Sequence, residues 1–195
     1  MNKKILFLFL ILSLIFISGC FGRSDRYEYN GFTITKNQYG WAATVFLEET
    51  GKKERVVLVD LRYDPRSLEK ENITFDDSIK NIVLNSTQVF ITTDPNGTGK
   101  TSIAMMHLSK VLGLHPDWGV FKIRTENTLT KPGGEAPIKT CNDSNYLVTV
   151  IDLEHDKEEN KIYRDRYCII IEAKNEDDLI KLTDRLILTL LGVMK

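Results

Sequence analysis

Residues 94–102 read DPNGTGKTS, a composition that could hold an anion. Gly97 and Gly99 leave backbone N–H groups unobstructed, Lys100 adds a positive charge, and Thr101 and Ser102 place hydroxyls beside it. A β-branched run precedes the segment, and apolar residues at helical spacing follow it over 101–112. These groups therefore gather where a helix begins, and the dipole there favours negative charge. Asp94 and Pro95 oppose that use, because one brings a carboxylate and the other has no N–H to offer. The same residues suit an ordinary strand-to-helix turn, with Asp94 and Asn96 bonding the local backbone and Lys100 solvated.

The spacing resembles the Walker A loop of P-loop nucleotide-binding proteins, GxxxxGK[ST], with Asp94 where that family has its first glycine. The resemblance implies an outer-phosphate role for Lys100 and a magnesium-ligand role for Thr101. Runs at 56–60 and 147–152 imitate the apolar strand and aspartate of a Walker B element. Gly97, Gly99, Lys100 and Thr101 are thus candidate anion-binding residues, while the carboxylate of Asp94 argues against nucleotide hydrolysis.

Other titratable groups are more loosely arranged. Asp152, Glu154, His155, Asp156, Glu158 and Glu159 are dense in carboxylates, but their spacing is not that of an EF-hand loop and suits a solvated hairpin tip. Asp94 and Asp152 both fall at the carboxyl ends of expected strands, the place where open α/β sheets take ligands. His107 and His115 have no serine or cysteine nucleophile in a recognisable motif beside them. No complete catalytic motif is present, no metal site is expected, and no cofactor is implied.

The N-terminus carries a separate message. Lys3 and Lys4 precede an apolar run over 5–17, then Ser18, Gly19 and Cys20, the layout of a secretory signal peptide. The run is shorter than the ~20 residues a bilayer span takes. Ile17, Ser18, Gly19 and Cys20 resemble the lipobox of prokaryotic lipoproteins, which implies cleavage after residue 19 and a diacylglyceryl group on Cys20. The body is similar to small exported archaeal α/β proteins of unknown function. With Lys3 and Lys4 removed, 24 basic residues face 27 acidic ones and the net charge is −3. That balance excludes the basic footprint of a nucleic-acid binder. Cys141 and Cys168 remain, and an even pair in an oxidising compartment is expected to bridge. Asn72, Asn85, Asn96 and Asn142 begin Asn-X-Ser/Thr sequons and are candidate glycosylation sites.

The elements that must position these groups divide the chain into a signal segment (1–19), a tether (20–26), a β-rich subdomain (27–86) and an α/β subdomain (87–195). Strands are expected at 27–35, 41–48, 55–61, 88–93, 120–124, 146–153 and 166–172, with 125–140 as loop. Helices are expected at 76–84, at 101–112 and after an N-cap at Asn175, where Glu176, Asp177 and Asp178 complement the dipole. The fold class is α+β or α/β, with N-terminal antiparallel strands packed on a C-terminal mixed sheet and two main helices. The expected function is a lipid-anchored extracytoplasmic interaction module whose partners are the membrane and an envelope protein; the rival is a phosphate- or nucleotide-binding protein using 94–102.

Overall fold

The computed structural model describes residues 25–48 and 55–194. The lipobox and Cys20 lie outside them. Four strands, β1 (Arg26–Tyr29), β2 (Phe32–Asn37), β3 (Gly40–Leu47) and β4 (Arg55–Leu61), form an antiparallel sheet in that order. The single strand expected at 27–35 is a hairpin. Asn30 and Gly31 both hold positive φ, 48° and 84°, the backbone that two-residue hairpin turns require.

Six strands form a mixed sheet: β5 (Thr74–Phe75), β6 (Gln88–Thr93), β7 (Arg124–Leu129), β8 (Val148–Glu154), β9 (Lys161–Asp165) and β10 (Cys168–Glu172). Their order is β5-β9-β10-β8-β6-β7, with β10, β8, β6 and β7 parallel and β9 antiparallel to β10. The inner strands β6, β8 and β10 are buried along most of their length, Thr92, Thr149 and Asp152 included, as strands covered on both faces are. The polar β7 is tolerated because it is an edge. It occupies part of the expected 125–140 loop, so the strand lies just beyond the 120–124 segment where it was expected.

Helices α1 (Pro65–Leu68), α2 (Ile79–Leu84), α3 (Gly99–Leu112) and α4 (Glu176–Leu191) complete an α+β fold in which α3 and α4 are the main helices. α3 touches β4 of the small sheet and β6 and β7 of the large one, and α4 runs along α3 against β9 and β10. Ile34, Ala43, Val45, Val57 and Val59 of the small sheet share one apolar core with Ile91, Ile151 and Ile169 of the large sheet. The helices are therefore a filling between two sheets. That explains why α4 is buried on nearly every side, from Leu179 and Ile180 to Leu190.

One buried carboxylate ties the layers together. Asp184 of α4 is fully buried, and its Oδ2 accepts the backbone N–H groups of Arg62 (2.7 Å) and Tyr63 (2.9 Å), just beyond β4. Its Oδ1 lies 3.6 Å from Nδ1 of His107, which is buried on α3. Burial pushes the Asp184 carboxyl above its ordinary range, and His107 and the two amides pull it back.

The far face of the large sheet is covered differently. Ile91, Ile151 and Ile169 are in register and face the helices, so their neighbours Phe90, Val150 and Cys168 face away. A strap over residues 130–145 crosses that face. Thr92 Oγ1 donates to the Lys139 carbonyl (2.8 Å), Lys139 Nζ sits over the Phe90 ring, and Cys141 is disulfide-bonded to Cys168. The expected bridge is therefore present, and it joins a 3-10 turn (Cys141–Asp143) to the first residue of β10.

Asp184→Ala should lower stability by about 2–5 kcal/mol, because it strands two backbone amides and leaves a cavity in the core. Asp184→Asn keeps an oxygen for the amides and should cost about 1 kcal/mol. Urea melts of the two variants check this. Reducing the bridge, which spans 27 positions, should cost about 3.5 kcal/mol by loop entropy. Parallel melts with and without reductant measure it.

Candidate functional site

The sequence 94–102 folds as a turn stitched by its own side chains. Asp94 Oδ1 accepts the Asn96 N–H (2.9 Å), and its Oδ2 meets Lys131 Nζ at 2.6 Å. The Lys131 ammonium, with the Asn96 amide, holds the Asp94 carboxyl below its usual range. Thr98 is the N-cap of α3, its hydroxyl accepting from the Lys100 N–H. A Cβ on Gly97 would lie 3.0 Å from Thr101, whereas Gly99 faces open space.

The N-terminus of α3 is met by a carboxylate of the chain itself. Glu176, in the first turn of α4, accepts from Thr98 N–H (2.8 Å), Thr98 Oγ1 (2.5 Å) and Thr101 Oγ1 (2.8 Å). These bonds, the Thr98 hydroxyl first, hold its carboxyl below the ordinary range. Lys100 turns to Asp177, 2.6 Å away. The structure thus brings Thr98, Lys100 and Thr101 together, around Glu176 and Asp177.

A second arrangement lies at the carboxyl ends of the parallel strands. α3 carries the chain from β6 to β7 on one side, while β8 pairs on the other side of β6. Such a reversal leaves a crevice beyond the strand ends, the position where open α/β sheets take ligands. Here it is a cleft of about 510 Å³ lined by residues including Asp94, Thr130, Thr140, Asp152, Glu154 and Lys157. Its chemistry is polar; Leu153 is the apolar member of the lining.

Asp152 forms part of this lining yet is only 8% exposed. Its Oδ1 is buried with no hydrogen-bond partner among the described residues. Burial first, then the nearby Glu154 charge, push its carboxyl up to about 6, against the pull of Lys157. Lys157 itself is 2.6 Å from Glu154. His155 connects the cleft to the α3 terminus: Nδ1 is 2.8 Å from Asp156 Oδ2, and Nε2 is 3.9 Å from Glu176 Oε1. Among the described residues, no three His, Cys, Asp or Glu side chains converge to hold a metal ion.

The acidic stretch 152–159 is therefore split. Asp152 and Glu154 belong to β8 and enter the cleft, while Glu158 and Glu159 fall in the turn before β9. Asn72, Asn85, Asn96 and Asn142 are all exposed. Sequence reasoning paired Asp94 with Asp152 through their strand ends and missed Thr130, Thr140 and Lys157, which reach the cleft from separate elements. It also treated Glu176 as a dipole complement of its own helix; the contact with α3 spans 78 positions and has no local signature. No protein-family model matches the chain, and neither a curated protein nor a solved structure matches it.

A carboxyl raised in the folded state binds its proton more tightly there than in the unfolded chain. Asp152 should therefore lower stability as pH rises from the ordinary carboxylate range through about 6, with no further change above. Asp152→Asn should remove that slope and gain about 1–2 kcal/mol at pH 8. Denaturant melts at pH 4, 6 and 8 on both proteins test it.

Proposed function

We propose that the chain is a lipid-anchored extracytoplasmic interaction module, held to the membrane through Cys20 and binding by its polar cleft rather than by catalysis. The observation that carries this reading is the Cys141–Cys168 bridge, since structural disulfides persist in oxidising compartments and are rare where thiols are kept reduced. The lipobox-like residues before Cys20 give the bridge a matching address. Among the described residues, no helix is long and apolar enough to cross a membrane; the attachment we propose, outside them, is the lipid on Cys20. The envelope partner would meet the cleft or the rims around it.

The nucleotide-binding alternative draws support from the position of 94–102 between β6 and α3. Against it stand Glu176 and Asp177, which engage the groups a phosphate would need. A phosphate brought to Thr98 would meet like charge at close range.

Cells labelled with a radioactive lipid precursor should transfer label to the wild-type protein and none to Cys20→Ser, which should also accumulate unprocessed. Equal labelling of the two would refute the anchor. The purified protein should give no saturable heat with magnesium-ATP; micromolar binding abolished by Lys100→Ala would favour the alternative.

A further inference from the structure

We infer that the cleft beyond β6 and β8 is a binding site for a primary ammonium group, held by Asp152 with help from Glu154 and Asp94. The inference does not depend on membrane attachment, because it rests on the cleft alone. Its main support is the unpartnered oxygen of Asp152: a carboxyl nine-tenths buried ordinarily has its lone pairs satisfied, and this one does not. Asp152 is in register with Thr92, whose hydroxyl donates to the strap, so its carboxyl faces the strap side of the sheet and lines the cleft there.

The other lining groups select the ligand. Asp94, Glu154 and Asp156 add carboxylates, Thr130 and Thr140 add hydroxyls that can accept, and Lys157 and His155 are the basic members. An anion would meet an excess of like charge. A divalent metal would need several converging ligands, and no such trio exists among the described residues. An apolar ligand would find Leu153 and no Phe, Tyr or Trp in the lining. A cation rich in N–H donors meets none of these objections, and about 510 Å³ admits an alkylammonium chain.

The rim already displays the chemistry. Lys157 Nζ lies 2.6 Å from Glu154 and Lys131 Nζ 2.6 Å from Asp94, so two ammonium groups of the chain sit on cleft carboxylates while Asp152 is left without one. A compact ammonium with three rotatable donors suits oxygens arriving from different strands better than a planar guanidinium, whose fork needs a matching pair in one plane. Lys157 would act as an internal competitor, neutralising Glu154 when no ligand is present.

The test uses the full chain in detergent at pH 7.5, titrated by calorimetry with 1,5-diaminopentane and with Nα-acetyl-lysine amide, and with 1,5-pentanediol as the uncharged match. Saturable binding of either amine is expected, with none for the diol. The diamine binding better would point to a free amine ligand, and the lysine amide to a lysine side chain on a protein partner. Asp152→Asn should weaken binding at least tenfold, and Lys157→Met should strengthen it severalfold. Glu154→Gln, at the strand end, should weaken binding as well and serves if Asp152→Asn does not fold by circular dichroism. Lack of saturable binding by both amines, equal binding of the diol, or unchanged affinity in a folded Asp152→Asn variant would overturn the proposal. So would calcium displacing the amine at stoichiometric concentration.

Discussion

The structure depends on a carboxylate placed where water cannot reach it. Asp184 leaves the unfolded chain well hydrated and enters the folded core fully buried, a transfer costing several kcal/mol unless its oxygens find donors. Those donors are fixed by topology: two amides at the exit of β4 bind one oxygen, and the imidazole of His107 on α3 lies 3.6 Å from the other. Placing one side chain therefore aligns three elements at once. A buried hydrophobe could fill the same volume, but it would not dictate which backbone atoms approach α4. The small sheet is located on the helices by hydrogen bonds of fixed direction as well as by apolar contact, which has none.

That alignment carries to the cleft. α3 and α4 start beside one another because Glu176 caps the opening of α3, and Lys100 meets Asp177 across the same junction. With α3 held, the turn at 94–98 is held too, and Asp94 stays at the mouth between β6 and β8. The strap supplies the opposite wall through Thr130 and Thr140. The cleft is thus walled by three separate segments, the 94–98 turn, the strap and the end of β8, none of which forms it alone.

What could be read from the sequence follows from where each physical signal resides. Gln88–Thr93 and Arg55–Leu61 are legible because β-branched and apolar residues cluster between turn residues, and both strands occur with those bounds. The cap at Asn175 is equally local: its side chain accepts the Asp178 N–H, three residues on. β9 escaped notice because its residues, KIYRD, follow a charged turn and bury only Ile162 fully. The Asn30-Gly31 turn was hidden inside a run of aromatic and β-branched residues. At the cleft, Asp94 and Asp152 were visible as strand-end carboxylates. The unsatisfied state of Asp152 was not, because it depends on Thr92 and Ile170, in register on the neighbouring strands, presenting it no donor.

The bridge between Cys141 and Cys168 also sets an order of events. The Cys168 side chain is buried at the start of β10, whereas Cys141 is partly exposed in a surface turn. Once β10 is paired and covered, an outside oxidant would reach the inner sulfur poorly, so the bridge is expected to close before the strap has fully packed. The sheets and helices need no such link, since their contacts lie on the other face. A chain kept reduced would keep its core and lack the pin at the far end of one cleft wall. Closing the bridge is in this sense a finishing step for one wall of the cleft, added to a core that the sheets and helices already hold.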